Sequence, residues 1–463
     1  MRPLALAALL SLCACGGPAT QRAPLPEAPP AAALAPGASA PPRFVEDDLD
    51  AALEEARRSS KLLLVDGWAP WCHTCLSMHH EVLDEPELGR LADRYVFASI
   101  DTDRPESARF VERYAQKVWP TFFVIDPSDG AVLAMHGGGA SLEQMITFLE
   151  QASRREASPG TTALEEAHAA FAAREHALAA TRYRDAAALV GEGRRAEALL
   201  GAMRASLAAK QHEPCVELGR AELRGIDGGS LPGDFAYYLA RCAEGLAPGA
   251  LRDETLALVE ARLAELVATP PRGARVDDRA DVAAMLAEAL RARGAKDEAQ
   301  RFEELRLGWL ERAAREATSP EAAAVHDYAR MNAYLALGRP REAIDMLEQR
   351  ARELPDRYEP HARLAQALEA AGESERALES LERAIERAYG PRRLRYFAQR
   401  VRLYEALLRG GSSSEPRAKR MIQGLERALR EELAAWGALP EAQRDLARIA
   451  TVEAKLAEIE AER

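Results

Sequence analysis

Beyond its first dozen residues this 463-residue chain has no apolar run near the ~18–20 residues that a bilayer-spanning helix requires, so the remainder reads as soluble. It also lacks an excess of cations. Lys and Arg number 61 against 73 Asp and Glu, a formal net charge of −12. Phosphate binding needs a cationic surface, so nucleic acid is not expected as a partner. Cysteine is scarce: the six residues fall into three pairs, Cys13 with Cys15, Cys72 with Cys75, and Cys215 with Cys242. Past residue 160 there is no nucleophile–base pair, metal cluster or phosphate-binding loop, so any chemistry is expected before it. What is present suffices for folding: 48% hydrophobic residues can bury a sizeable core, and the length corresponds to roughly three domains.

The N-terminus has the layout of an export signal, with Arg2 as the positive region and Leu4 to Leu12 as a short apolar stretch. The run Leu12-Cys13-Ala14-Cys15-Gly16-Gly17 resembles a bacterial lipobox. That resemblance implies a signal peptide at 1–15, cleavage before Cys15 and lipidation of its thiol. The only membrane contact would then be through the lipid. Gly16, in place of the aspartate that retains such lipoproteins at the inner membrane, favours the outer membrane, with the chain facing the periplasm. An ordinary secretory peptide cut nearby is the alternative. Residues 16–42 are rich in Pro and Ala with almost no charge, and read as an extended tether.

From 43 to 156 helical and strand patterns alternate. Helices are expected at Leu49–Arg58, from the Cys72 motif through Val82, at Pro105–Gln116, and from Ser141, where Ser141 and Gln144 form a capping box. Strands are expected at Lys61–Asp66, Tyr95–Ile100, Thr121–Ile125 and Ala131–Met135. This is an α/β order with helices on both faces of a small sheet.

Four features in register carry a family resemblance: Val65-Asp66-Gly67-Trp68 before Ala69-Pro70-Trp71-Cys72-His73-Thr74-Cys75, the segment Tyr114 to Thr121, and the glycines 137–139. Together they resemble the thioredoxin superfamily, and Met78-His79-His80-Glu81 after the second cysteine is similar to the periplasmic thiol:disulfide interchange type. The resemblance implies a thioredoxin fold, a redox-active Cys72–Cys75 disulfide with no other cofactor, and a cis-proline at Pro120. Trp71, His73, Thr74 and Trp119 are the candidate substrate-groove residues. Where thioredoxin carries a lysine near its buried aspartate, this chain has Phe97, so a lysine relay is not expected.

The chemistry of these residue types points the same way. A cysteine at a helix N-terminus is favoured as thiolate, which makes Cys72 the candidate nucleophile. Cys75, one turn inside, is the candidate resolving thiol. Asp66, buried beside the pair, is placed to accept and release a proton as Cys75 ionises. His73 as an imidazolium would stabilise the Cys72 thiolate and make the disulfide more oxidising; as a solvated helix-start residue it would do little. Cys72, Cys75, His79 and His80 could also be imagined around a metal, but the redox role already accounts for both cysteines and no metal is assigned. His136 reads as a surface residue.

After Ser158-Pro159-Gly160 the pattern is helical almost throughout. Gly338 and Gly372, Ala343 and Ala377, and Leu347 and Leu381 each stand 34 residues apart, a period similar to the tetratricopeptide repeat. The Gly-x4-Ala step recurs at Gly193/Ala198 and Gly294/Ala299, so an all-α solenoid is expected over 163–410, with two terminal helices in 416–463. Ser319-Pro320 marks a helix start. Cys215 and Cys242 are either a structural disulfide or two buried thiols. A surface that docks a protein or peptide is expected of such repeats, a structural spacer being the alternative. The expected function is an envelope thiol:disulfide oxidoreductase acting on protein thiols or disulfides, as reductase or isomerase, with an unidentified electron donor or acceptor. The alternative is an anchored repeat scaffold that binds partners without turnover.

Overall fold

The structure, a computed structural model, describes residues 40–114, 116, 118–154, 159–409, 415–439 and 444–461. Cys15, the signal segment, most of the tether and the Gly/Ser stretch at 410–414 lie outside the described residues. Among the described residues no helix is long and apolar enough to cross a membrane.

A five-stranded mixed sheet opens the described chain: β1 (Phe44–Glu46), β2 (Leu62–Trp68), β3 (Tyr95–Asp101), β4 (Thr121–Ile125) and β5 (Val132–Gly137), in the order β1-β3-β2-β4-β5. β2 runs parallel to β3 and antiparallel to β4. The three-residue β1 is too short to show alternation and was not expected from the sequence pattern. The other four strands lie where expected, shifted by a residue or two at their ends.

Period-2 alternation sorts the sheet's side chains between two layers. Leu63, Val65, Ala98, Ile100 and Phe123 pack with Ala52, Leu53 and Phe110 of helices α1 (Leu49–Ser59) and α3 (Ala108–Arg113). Leu62, Leu64, Phe97 and Phe122 pack on the other face with Met78, Met145 and Leu149. Those come from helices α2 (His73–Met78) and α4 (Leu142–Ser153). Asp66, two residues past Leu64, therefore belongs to the α2 side. Two helices differ from expectation. Residues 105–116 form a 3₁₀ turn, Pro105–Ser107, and then only the short α3. The motif helix leaves α geometry at His79–Leu83 as a π turn, a distortion frequent at functional sites. The capping box stands: Ser141 Oγ accepts from Gln144 N at 3.2 Å and Gln144 Oε1 accepts from Ser141 N at 2.8 Å.

Helices follow, α5 (Pro159–Ala172) through α20 (Leu446–Ala461). The 34-residue period corresponds to two helix pairs, α14 (Asp327–Ala336) with α15 (Pro340–Glu353) and α16 (Tyr358–Ala370) with α17 (Ser374–Arg387). Gly338 and Gly372 turn each pair at φ +69° and +76°, a conformation that costs glycine nothing. Ala343, Ala377, Leu347 and Leu381 are fully buried where the helices cross. Gly294 plays the same turn role at φ +88°, before the buried Ala299. Gly193 does not: it lies inside α7 (Glu192–Ala208), and the turn before that helix is at Gly191. The expected Ser319 cap is present, accepting from Ala322 N at 3.1 Å. Leu425, Ala428 and Leu429 of α19 (Glu415–Gly437) form one apolar cluster with Val401 and Tyr404 and with Val452 and Leu456 of α20.

Candidate functional site

Cys72 is the N-cap of α2, with extended backbone (φ −83°, ψ 106°), and its Sγ accepts the Cys75 backbone N–H at 3.0 Å. The two sulfurs are bonded as a disulfide. Cys75 is fully buried and Cys72 retains 6% exposure, so of the two Cys72 alone reaches the surface. The Trp119–Pro120 peptide bond is cis, and the Pro120 carbonyl accepts from Gly138 N at 2.9 Å, tying the loop before β4 to the glycines after β5.

Asp66 is fully buried. Its Oδ2 lies 2.6 Å from His79 Nε2, while Oδ1 has no hydrogen-bond partner among the described residues. His79 is one turn past Cys75, and its backbone N–H donates to the Cys75 carbonyl. Its ring also packs on Trp68 at 4.7 Å between centroids. Burial pulls the His79 imidazole down, but the hydrogen bond and charge of Asp66, with Glu46 and Asp84 behind, outweigh it and hold its pKa above the usual value. Glu46 of β1 is pushed up by burial. Sequence reasoning gave His79 no redox role. The signal was available: His79 is four residues after Cys75 on the same helical face, and the alternation of β2 directs Asp66 to that face. Phe97 is not the residue opposite Asp66; in the β2–β3 register Phe97 pairs with Leu64 and Ser99 with Asp66. The charged partner of the aspartate thus comes from the motif helix rather than from β3.

The groove candidates are only partly open to solvent, because the helical region packs over them. Trp71 Nε1 donates to Asp103 Oδ2 at 2.8 Å, and its ring lies 5.5 Å from that of Trp119 and 4.5 Å beneath the Arg392 guanidinium. Burial pushes Asp103 up to about 6. Tyr389 donates to Asp101 Oδ2 at 2.6 Å, and at Gly390 (φ +58°) any Cβ would overlap the Asp103 carbonyl. His73 Nε2 lies 3.2 Å from Asp281 Oδ2 of α11 (Val276–Ala292) and 3.4 Å from Thr74 Oγ1, and its ring stacks on Tyr328 of α14 at 5.9 Å. His73 is therefore not a solvated helix-start residue.

The glycines 137–139 take part in the same closure. Arg204 of α7 donates to the Gly137 carbonyl at 3.1 Å, and Ser230 Oγ donates to that of Gly139 at 3.3 Å. A Cβ on Gly139 would stand 2.7 Å from Arg275 Nη2, so a larger residue there would displace the end of the arginine side chain. Arg275 also reaches Met78 Sδ and pairs with Asp277 and Asp278. His136, expected at the surface, is partly buried under this region. It bonds the Gly139 carbonyl at 3.2 Å and lines a cavity of about 50 Å³ with Tyr183, Glu197 and Arg204. The contacts to the sheet domain come from α7, α11 and α14, and from α18 (Gly390–Arg409) with Tyr389 just before it.

Cys215 and Cys242, on α8 (His212–Glu222) and α9 (Leu231–Glu244), are both fully buried and bonded to each other. Their surroundings are apolar, with Met203 Sδ 3.8 Å from Cys215 Sγ.

Comparison with known protein families agrees with this architecture. Residues 45–127 match the family of thioredoxin-like domains, and residues 334–399 match the tetratricopeptide repeat. The chain thus carries a thioredoxin-like domain followed by a tetratricopeptide repeat region. Similar solved structures include MamA of strain AMB-1 (18% identity, covering 39% of this chain and 90% of that one, TM-score 0.22). Another is a thermophilic tetratricopeptide repeat protein of Thermus thermophilus (18%, 54% and 99%, TM-score 0.25). A third is a human IFIT1 dimer with m7Gppp-AAAA (15%, 69% and 76%, TM-score 0.29). No curated protein sequence matches the chain.

Proposed function

We propose that the protein is a thiol:disulfide oxidoreductase that acts on protein substrates in the reductase or isomerase direction. The observation that carries this reading is the asymmetry of the pair. Cys72 Sγ accepts a backbone N–H and reaches the surface, while Cys75 is buried on the helix that covers the Asp66 face of the sheet, and Asp66 Oδ1 has no hydrogen-bond partner among the described residues. In the reaction the Cys72 thiolate attacks one sulfur of a substrate disulfide, and the other sulfur leaves as a thiolate. Cys75 passes its proton to the Asp66 carboxylate and attacks Cys72, forming the Cys72–Cys75 disulfide and releasing the second substrate thiolate. Two electrons pass to the substrate, and a thiol reductant must return them.

The test is dithiol-dependent reduction of a model protein disulfide by the full chain: it should fall to background in Cys72→Ser, and unchanged turnover in that variant would sink the proposal. Direction is read from the reduction potential against glutathione, where a value near about −270 mV marks a reductant and one near about −120 mV an oxidant. We place the protein in the bacterial envelope, facing the periplasm and held at the outer membrane by lipid on Cys15. Incorporation of a labelled fatty acid that persists in Cys15→Ser would refute that anchor.

A second reading has one observation in its favour, the packing of the repeat region over Trp71, His73 and the glycine loop. In it the repeats form a scaffold whose thioredoxin-like domain binds without turnover. It requires partner capture to survive Cys72→Ala.

A further inference from the structure

The only residue between the two cysteines that a distant part of the chain touches through an ion pair is His73, and its partner lies 208 residues away. Asp281 projects from α11 to place Oδ2 at 3.2 Å from His73 Nε2. Tyr328 of α14 stacks on the ring with an offset, at 5.9 Å between centroids and 25° between planes. The imidazole is thus fixed by a carboxylate at its edge and an aromatic face, on the residue that directly follows Cys72. The other charged or titratable groups around it are Asp277, Arg363 and His326. Burial disfavours the imidazolium, but Asp281, by charge and hydrogen bond, and Asp277 outweigh this and Arg363, so the ring holds its proton more tightly than usual.

We propose, on the basis of the redox function above, that the repeat region completes the redox centre: Asp281, assisted by Tyr328, is a positioning residue that keeps the His73 imidazole charged and oriented beside Cys72. An imidazolium there favours the Cys72 thiolate, which stabilises the reduced dithiol and makes the disulfide a stronger oxidant. Neutralising Asp281 leaves the partly buried imidazole without its counter-charge, and that advantage is lost. Because Asp281 is itself half-exposed, the effect is a moderate one.

The experiment is a double-mutant cycle on the full chain with Asp281→Asn, His73→Gln and both together. Each is equilibrated with glutathione buffers and the Cys72–Cys75 disulfide is quantified by alkylation and mass spectrometry. Asp281→Asn should move the equilibrium about three- to tenfold toward the disulfide, a tenfold change being about 30 mV more reducing. Asp281→Glu should recover part of the shift, and in the His73→Gln background Asp281→Asn should have no further effect. An unshifted Asp281→Asn, or the same shift persisting without His73, overturns the inference. Failure of the wild-type chain to exchange with glutathione at all would instead overturn the redox function on which it rests.

Discussion

Among the described residues two cysteine pairs are bonded, one at the start of a helix and one between two helices. Cys72 caps a helix start with its sulfur taking a backbone N–H, in a domain that also holds a buried carboxylate with a histidine partner. Cys215 and Cys242 sit inside two neighbouring helices among Met203, Val216 and Leu239, fully buried and with no ionisable side chain bonded to them among the described residues. A thiolate needs donors and positive charge nearby, and only the first pair has them. The surroundings thus fit the proposed reactive group in one region and a staple in the other.

The comparison breaks most visibly by mutation of each pair. Cys72→Ser should remove turnover, whereas Cys215→Ala with Cys242→Ala should leave it intact and lower stability by about 2–4 kcal/mol, read from urea unfolding. Loss of turnover in the second variant would contradict the division of roles. Next in size is the proton path. Asp66→Asn should slow resolution of the mixed disulfide by about a hundredfold, with the first attack by Cys72 less affected, as stopped-flow mixing with a model disulfide can separate. His79→Gln should have a smaller effect on the same step, because it leaves the Asp66 carboxylate in place.

The smallest effect sharpens the contrast through pH. The pKa of His79 is raised in the folded chain, so its pairing with Asp66 contributes full stability below the unfolded value of about 6.5. That contribution is lost as pH rises through the higher folded value. The urea midpoint of the wild type should therefore fall more than that of His79→Gln from pH 6 to pH 9. Parallel curves would mean that the pair is electrostatically silent.

Much of the site was legible in one dimension. The apolar run of β2, the spacing of Cys72 and Cys75 and the Ser141 capping box each depend on neighbours within a few residues, and each lies where expected; the cis Trp119–Pro120 bond was expected from the family resemblance. The 34-residue period was legible at Gly338 and Gly372 because two successive units kept it, but not at Gly193, where a matching spacing falls inside a helix. The surroundings of His136 and His73 escaped the sequence for a shared reason: each is local to the sheet domain in sequence but covered by helices that begin more than 20 residues later.

What the sequence by itself determined is the local grammar: strand alternation, caps, turn glycines and the cysteine spacing, all set by short-range backbone and burial energies. Only the tertiary structure decided that His79 turns to Asp66, that Asp281 meets His73, and that helices of the C-terminal region contact Trp71 and the glycine loop of the thioredoxin-like domain. Those pairings join residues up to 288 positions apart, as in Tyr389 with Asp101. The long-range ones join the sheet domain to the helical region, and no periodicity along the chain records that complementarity.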